Sequence, residues 1–245
     1  MKLVVAEKPS VANTIAKVLG VKNRQNGYIE GKDYIVTWCV GHLVGLAMPD
    51  EYGAEYKKWE NLPILPDKWK YNILSGTKKQ FDVIKKLMNR SDVESVVCAT
   101  DAGREGELIF RLVYNEAKCD KPIERLWISS LEDIAIKQGF QDLKPGTDFD
   151  NLYKSALCRE RADWLVGINA SRYFTVKNDK TLSIGRVQTP TLNMIVERDT
   201  TISNFTKGYY YTVDINCKDF TASSSKFESK DEAQNLAQSI AVAKI

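Results

Sequence analysis

Two short apolar runs, each interrupted by acid at its C-terminal end, constrain this chain more than any other feature. Residues 3–6 (Leu-Val-Val-Ala) run straight into Glu7-Lys8-Pro9-Ser10, and Ser95–Ala99 is followed by Thr100-Asp101-Ala102-Gly103-Arg104-Glu105. Four or five apolar residues bounded by turn formers read as a strand buried on both faces. After each run, apolar residues return at helical spacing: Val11, Ile15, Val18 and Leu19 before Gly20, then Leu108, Ile109, Leu112 and Val113 within 105–118. Residues 34–40 and 125–128 read as two further strands and 77–88 as a helix, with a Gly- and Pro-punctuated surface excursion over 41–66. Strands alternating with helices predict an α/β fold with a mostly parallel sheet flanked by helices.

The second half reads differently. Lys144-Pro145-Gly146-Thr147-Asp148 punctuates the chain, and 152–168 is a long helical pattern without β character. From 208 onward, 209–215 is strand-like, 220–222 can pair with it, and 229–241 is helical behind an N-cap at Ser229. The expected organisation is an α/β domain over 1–150, a helical segment over 151–207, and over 208–245 the start of a β-rich domain too small to bury a core by itself.

Composition narrows the class. The 43% hydrophobic content is enough for packed cores and argues against disorder, while 35 Lys and Arg against 32 Asp and Glu leave a net charge of only +3, so bulk charge does not announce a polyanion partner. The five cysteines are isolated, with no CxxC pair, which argues against a zinc site and a disulfide framework and fits a reducing cytoplasm. The apolar run before Glu7 is too short for a signal sequence, and no stretch is long enough to span a membrane.

In a parallel α/β sheet the functional crevice lies beyond the C-terminal ends of the strands, where Glu7, Lys8 and Asp101 fall, with Glu105 one turn later. Three converging carboxylates repel unless a cation lies between them, and all-oxygen ligation favours Mg²⁺. Lys8 is placed to neutralise a phosphate oxygen, so metal and ammonium together suit phosphoryl chemistry on a nucleic-acid backbone. Glu7 alone would read as a solvated loop residue; its pairing with the Asp101–Glu105 stretch carries the metal reading.

Further along, Arg159 and Asp163 stand at i and i+4, a spacing that an intrahelical salt bridge explains without any function. The loop Ser183-Ile184-Gly185-Arg186-Val187-Gln188 precedes a helix start at Thr189-Pro190; Gly185 permits close backbone approach, and Ser183, Arg186 and Gln188 supply directed donors to phosphate. Trp59, flanked by Lys57 and Lys58, suits base stacking or equally a role in pinning its loop. His42, the sole histidine, reads as a satisfied loop residue and stays outside the catalytic set.

The segments AEKPSVANTIAKVLG, TWCVGHLVGL, ATDAGREGELIF, RADWLVGIN and LSIGRVQTPTLNMIVERD resemble, in this order, the type IA DNA topoisomerases, specifically the bacterial topoisomerase III branch. The resemblance implies a Toprim domain over 1–150 that binds Mg²⁺ through Glu7, Asp101 and Glu105, with Glu7 and Lys8 catalytic. It implies single-stranded DNA contacts at Trp59, Arg159, Asp163, Arg172, Ser183, Ile184, Gly185, Arg186, Val187 and Gln188, and a monomeric protein. The chain departs from the family's D-x-D-x-E pattern at Gly103, which puts a second Mg²⁺ in question. None of the eleven tyrosines lies in the P-x-R-T context of the family's nucleophile. The expectation is therefore an N-terminal fragment, inactive alone, of an enzyme that cleaves one strand through a 5′-phosphotyrosyl link, passes a strand and religates. A Toprim nuclease or primase would share the acids but not the S-x-G-R-V-Q and RADWLVGIN segments. A non-catalytic single-strand-binding module would not need Glu7-Lys8.

Overall fold

The computed structural model describes residues 1–242, and the last three residues of the expected β-rich segment lie outside them. The chain folds as two units, 1–189 and 190–245.

The first unit is built on β1 (Lys2–Ala6), which pairs in parallel on both sides. One neighbour is β4 (Tyr34–Trp38), in register Lys2 to Tyr34; the other is β7 (Ser95–Ala99), in register Lys2 to Ser95. β8 (Ile123–Arg125) extends the parallel run beyond β7, with Cys98 opposite Arg125. Antiparallel strands close both edges: β2 (Asn23–Gln25) and β3 (Tyr28–Glu30) beyond β4, and β9 (Lys144–Pro145) beyond β8. The order of the seven-stranded sheet is β2-β3-β4-β1-β7-β8-β9. This is the mostly parallel α/β sheet that the alternation of strands and helices predicts.

Alternation along the central strands fills two cores. Leu3 and Val5 of β1, with Val96 and Cys98 of β7, face α2 (Lys78–Met88) and α3 (Arg104–Glu116). Val4, Ala6, Val97 and Ala99 face the opposite side, against α1 (Pro9–Val18) and Ile136 of α4 (Asp133–Gln141). All four apolar residues of β1 are fully buried. Burying a Val or Leu side chain contributes roughly 1.5–3 kcal/mol, which is why so short a strand holds the centre of a sheet.

The helix expected to open a second domain stays with the first. α5 (Asp150–Asn178) is continuous over 29 residues; its Ala156 is buried in the α2/α3 core, and Tyr153 and Leu157 pack beside it. The Pro-Gly punctuation before it is taken up by β9 and a single 3-10 turn, Gly146–Phe149.

The expected surface excursion is fastened down as well. β5 (Val44–Leu46) pairs with β6 (Tyr71–Ile73), and α5 holds the segment between them. Asn169 accepts from Ile64 N–H at 2.7 Å and donates to Ile64 C=O at 3.0 Å, and Trp164 Nε1 donates to Ala47 C=O at 3.1 Å. The fourth strand lies earlier than 125–128. Pairing ends at Arg125, and Leu126–Ile128, although apolar, run past the end of the ladder.

α6 (Gln188–Ser203) starts in the last residues of the first unit. In the second unit β10 (Asp214–Asn216) and β11 (Thr221–Ser223) form an antiparallel pair, Tyr211 bridges Phe227, and α7 (Lys230–Val242) follows. The expected strand over 209–215 is thus reduced to its last residues. Ala233 is the one buried residue of this unit among those described, as expected for so short a β-layer. Among the described residues no helix is long and apolar enough to cross a membrane.

Candidate functional site

Because β1 and β7 are parallel neighbours in register, Ala6 lies opposite Ala99, and the residues after them emerge side by side at one sheet edge. The Asp101 N–H donates to Glu7 Oε2 at 3.1 Å. The Glu7 carboxylate thus reaches the backbone of a residue 94 positions away in sequence. α1 begins at this edge behind Lys8, and α3 behind Gly103; among the described residues neither N-terminus carries a side-chain cap. Uncapped N–H groups and the positive ends of two helix dipoles favour an anion here.

Glu105 lies in the first turn of α3, is largely exposed, and leans toward α5, where Arg159 Nε is 3.9 Å from its Oε1. Among the described residues no three His, Cys, Asp or Glu side chains are gathered closely enough to hold a metal between them. The convergence expected from sequence is thus a Glu7–Asp101 pair with Glu105 drawn aside by an arginine.

The donors still fit a hard cation. The nearby sulfurs do not compete: burial raises the Cys39 thiol well above its usual range and pushes Cys98 up to about 11, so both stay protonated at neutral pH. What remains is oxygen, and Mg²⁺ keeps several waters and needs one or two carboxylates. Glu7 and Asp101 are the residues that would hold it.

Behind the edge lies a charged core that sequence reasoning missed. Glu107 is 1% exposed and bridges two arginines, Arg111 at 2.9 Å and Arg125 at 3.0 Å. Arg125, fully buried, also donates to four carbonyls: Cys98 at 3.0 Å, Thr100 and Leu126 at 2.8 Å, and Asp101 at 2.7 Å. The available signal was a charge pair, Glu124-Arg125, inside an otherwise apolar run.

The other expected contacts spread over α5 and the loop after it. Arg159 and Asp163 do form the intrahelical pair, at 3.7 Å, and Arg186 Nε reaches the same Asp163 at 2.6 Å. A line of alternating charge, Glu105–Arg159–Asp163–Arg186, thus connects the acidic edge with the loop at 183–188. In that loop Ser183 Oγ donates to Gln188 Oε1 at 3.4 Å, and Ile184 exchanges bonds with the Ser171 hydroxyl at 2.9 and 3.2 Å. Arg186, Val187 and Gln188 are exposed. A Cβ added at Gly185 would lie 3.6 Å from its nearest neighbour, so packing does not require glycine there.

Two expected DNA contacts have structural occupations. Arg172 is buried, donates to Tyr56 C=O at 2.6 Å and lies under the Trp59 ring at 5.4 Å. Trp59 thereby pins its loop to α5 while one part of the ring stays exposed. His42 is exposed.

A mostly parallel α/β sheet whose neighbouring strands β1 and β7 each run through an acidic residue into a helix N-terminus defines the acidic-edge class to which Toprim domains belong. Comparison of the sequence with protein families finds the Toprim domain over residues 2–131 and the DNA topoisomerase family over 147–245. The chain belongs to the Toprim family, and residues 147–245 are similar to the DNA topoisomerase family. Toprim domains of topoisomerases bind metal in general.

Among curated relatives, the chain is 51% identical over 214 residues to DNA topoisomerase 3 of Bacillus cereus, covering 86% of this chain and 29% of the relative. It is 48% identical over 229 residues to DNA topoisomerase 3 of Staphylococcus saprophyticus, covering 93% and 32%. The chain therefore spans about a third of these relatives' length. Full-length topoisomerase I from Thermotoga maritima shares the fold, with a TM-score of 0.65 at 22% identity over 96% of this chain and 37% of that one. The resemblance to the topoisomerase III branch read from five motifs agrees with the names of the curated relatives, and the family matches agree with its type IA reading.

Proposed function

We propose that this chain forms the metal-binding and strand-binding part of a Mg²⁺-dependent type IA DNA topoisomerase. The observation that carries the reading is the line of charge from Glu105 through Arg159 and Asp163 to Arg186, which joins the acidic edge to the loop within one folded unit. A nuclease or primase reading has no use for α5 and that loop, and a plain binding module has no use for the Glu7–Asp101 pair.

In this reading a single strand lies along α5 with its scissile phosphate at the β1/β7 edge. Glu7 and Asp101, with Glu105 one turn away, would hold Mg²⁺, which would supply charge neutralisation at that phosphate. Lys8 pairs with a non-bridging oxygen, and the N-termini of α1 and α3 add to the positive field. A tyrosine hydroxyl attacks phosphorus, the bond to the 3′ oxygen breaks, and the proton the hydroxyl gives up passes by way of Glu7 to the departing 3′ oxygen, leaving a 3′ hydroxyl. Religation reverses each transfer. Arg159 and Arg186 exchange the carboxylates of Glu105 and Asp163 for backbone phosphates, so their guanidinium groups are ordered before DNA arrives. Gly185, which packing does not require, leaves room for the strand to approach the loop backbone.

The test is single-strand binding across a salt series. Each phosphate neutralised on a single strand contributes about 0.7 to the log-log salt slope. Arg186→Ala is expected to weaken binding of unrelated oligonucleotides alike and to flatten the slope by about 0.7. Fluorescence anisotropy reads both quantities, and an unchanged affinity and slope would move the strand away from this loop.

Gly103 offers a second test. It stands where the family pattern has an acid, its backbone is extended at φ −179, and an added Cβ meets nothing within 4 Å among the described residues. Gly103→Asp is expected to fold normally, since Asp caps a helix at least as well as Gly. It should bind Mg²⁺ severalfold more tightly in calorimetry, because a third carboxylate then faces the same edge. Unchanged affinity would show that this position does not reach the cation.

A further inference from the structure

We infer that Arg125 is a positioning residue for the metal site: from inside the core it holds the backbone that carries Asp101. The inference rests on the Mg²⁺ reading above. Asp101 is gripped on both sides of its own backbone, its N–H by Glu7 Oε2 at 3.1 Å and its C=O by Arg125 Nη2 at 2.7 Å. Arg125 Nη1 holds the preceding turn through the carbonyls of Cys98 and Thr100. Glu107, one turn into α3, fixes the guanidinium from the other side at 3.0 Å.

The first turn of α3 closes on the same backbone. Thr100 Oγ1 donates to Gly106 C=O at 2.8 Å, and Gly103 N–H donates to Asp101 C=O at 2.9 Å. A Cβ at Gly106 would stand 2.2 Å from Asp101 O. These contacts account for a fully buried arginine that ordinary core packing does not require. Its fork spans carbonyls on both sides of the β7 end, and a lysine, with a single donor centre, cannot bridge them all. Placement of this kind matters because a metal ligand displaced by a fraction of an ångström loses affinity while the fold survives.

The test compares Arg125→Lys with the wild-type 245-residue chain. Lysine keeps a cation beside Glu107 but releases at least part of the carbonyl set. Metal-free hydrogen exchange should quicken at least tenfold at residues 101–103 while the amides of β1 stay protected, and Mg²⁺ affinity in calorimetry should fall about tenfold. Leu87→Ala, a core change in α2 remote from the edge, is the control and should destabilise the chain without altering Mg²⁺ affinity. If Arg125→Lys folds with wild-type exchange at 101–103, the positioning role is overturned, whatever the metal does. If the wild type itself binds no Mg²⁺, the functional reading fails and the exchange result alone decides the role of Arg125. Should Arg125→Lys not fold, arginine side-chain NMR of the wild type takes its place: the Arg125 signals should shift on adding Mg²⁺ while those of Arg90 stay still, and equal behaviour of the two overturns the inference.

Discussion

Glu107→Gln is expected to cost roughly 3–5 kcal/mol, the range for breaking a buried ion pair by removing one partner. Glu107 is 1% exposed and is the counter-charge of an arginine that is wholly buried. Glutamine keeps the size and some hydrogen bonding but leaves the Arg125 cation without a counter-charge, its remaining partners being carbonyl dipoles and the Trp127 and Phe149 rings. Arg111 suffers less, because it also reaches Asp150 at 2.9 Å near the surface. Against a total stability of about 5–15 kcal/mol for an ordinary domain, the loss is large enough to lower the urea midpoint plainly. Exposed pairs such as Arg90 with Asp92 should matter little by comparison, because solvent screens them. A Glu107→Gln midpoint within error of wild type would mean that the buried pair is not what holds the end of β7 against α3.

The elements around that pair were unevenly legible from sequence. β1, β7, α1 and α3 stand out because a strand buried on both faces must be apolar throughout and a helix packed on it must be apolar on one side. The short antiparallel strands β2, β3, β5, β6 and β9 escape notice, since two or three residues with mixed polarity carry no periodicity. The strand expected over 125–128 lies at Ile123–Arg125, because the apolar run Leu126–Ile128 carries no sign of where the ladder ends; Arg125 is buried by the contacts its guanidinium makes. The Pro-Gly boundary before α5 falls where the DNA topoisomerase family match begins, at residue 147, although α5 packs on the core of the first unit. Punctuation reports a turn, while only the packing of Ala156, Tyr153 and Leu157 decides whether the next helix belongs to the same unit.

At the site, the meeting of Glu7 with Asp101 was legible because sheet topology fixes which strand ends adjoin. The aside position of Glu105 was not, since it depends on Arg159 reaching across from a helix more than 50 residues later. Nor could sequence tell that Arg172 and Trp59 grip one another, because a buried cation–π contact and an exposed DNA contact call for the same residue types.

The proposed chemistry stands or falls on the cation at the β1/β7 edge. Asp101→Asn keeps the side-chain size and the backbone bonds to Glu7 and Arg125 but removes one of the two carboxylates proposed to hold the cation. With Mg²⁺ held by so few protein oxygens, losing one charge is expected to weaken binding at least tenfold, about 1.4 kcal/mol. Stability without metal should be nearly unchanged, because both backbone bonds of residue 101 remain. Calorimetric titration of Mg²⁺ into the wild type and into Asp101→Asn, in the absence of DNA, is the direct measurement. A clear wild-type isotherm and a much weaker one for the variant are expected; equal affinities for the two would contradict a metal site at this edge.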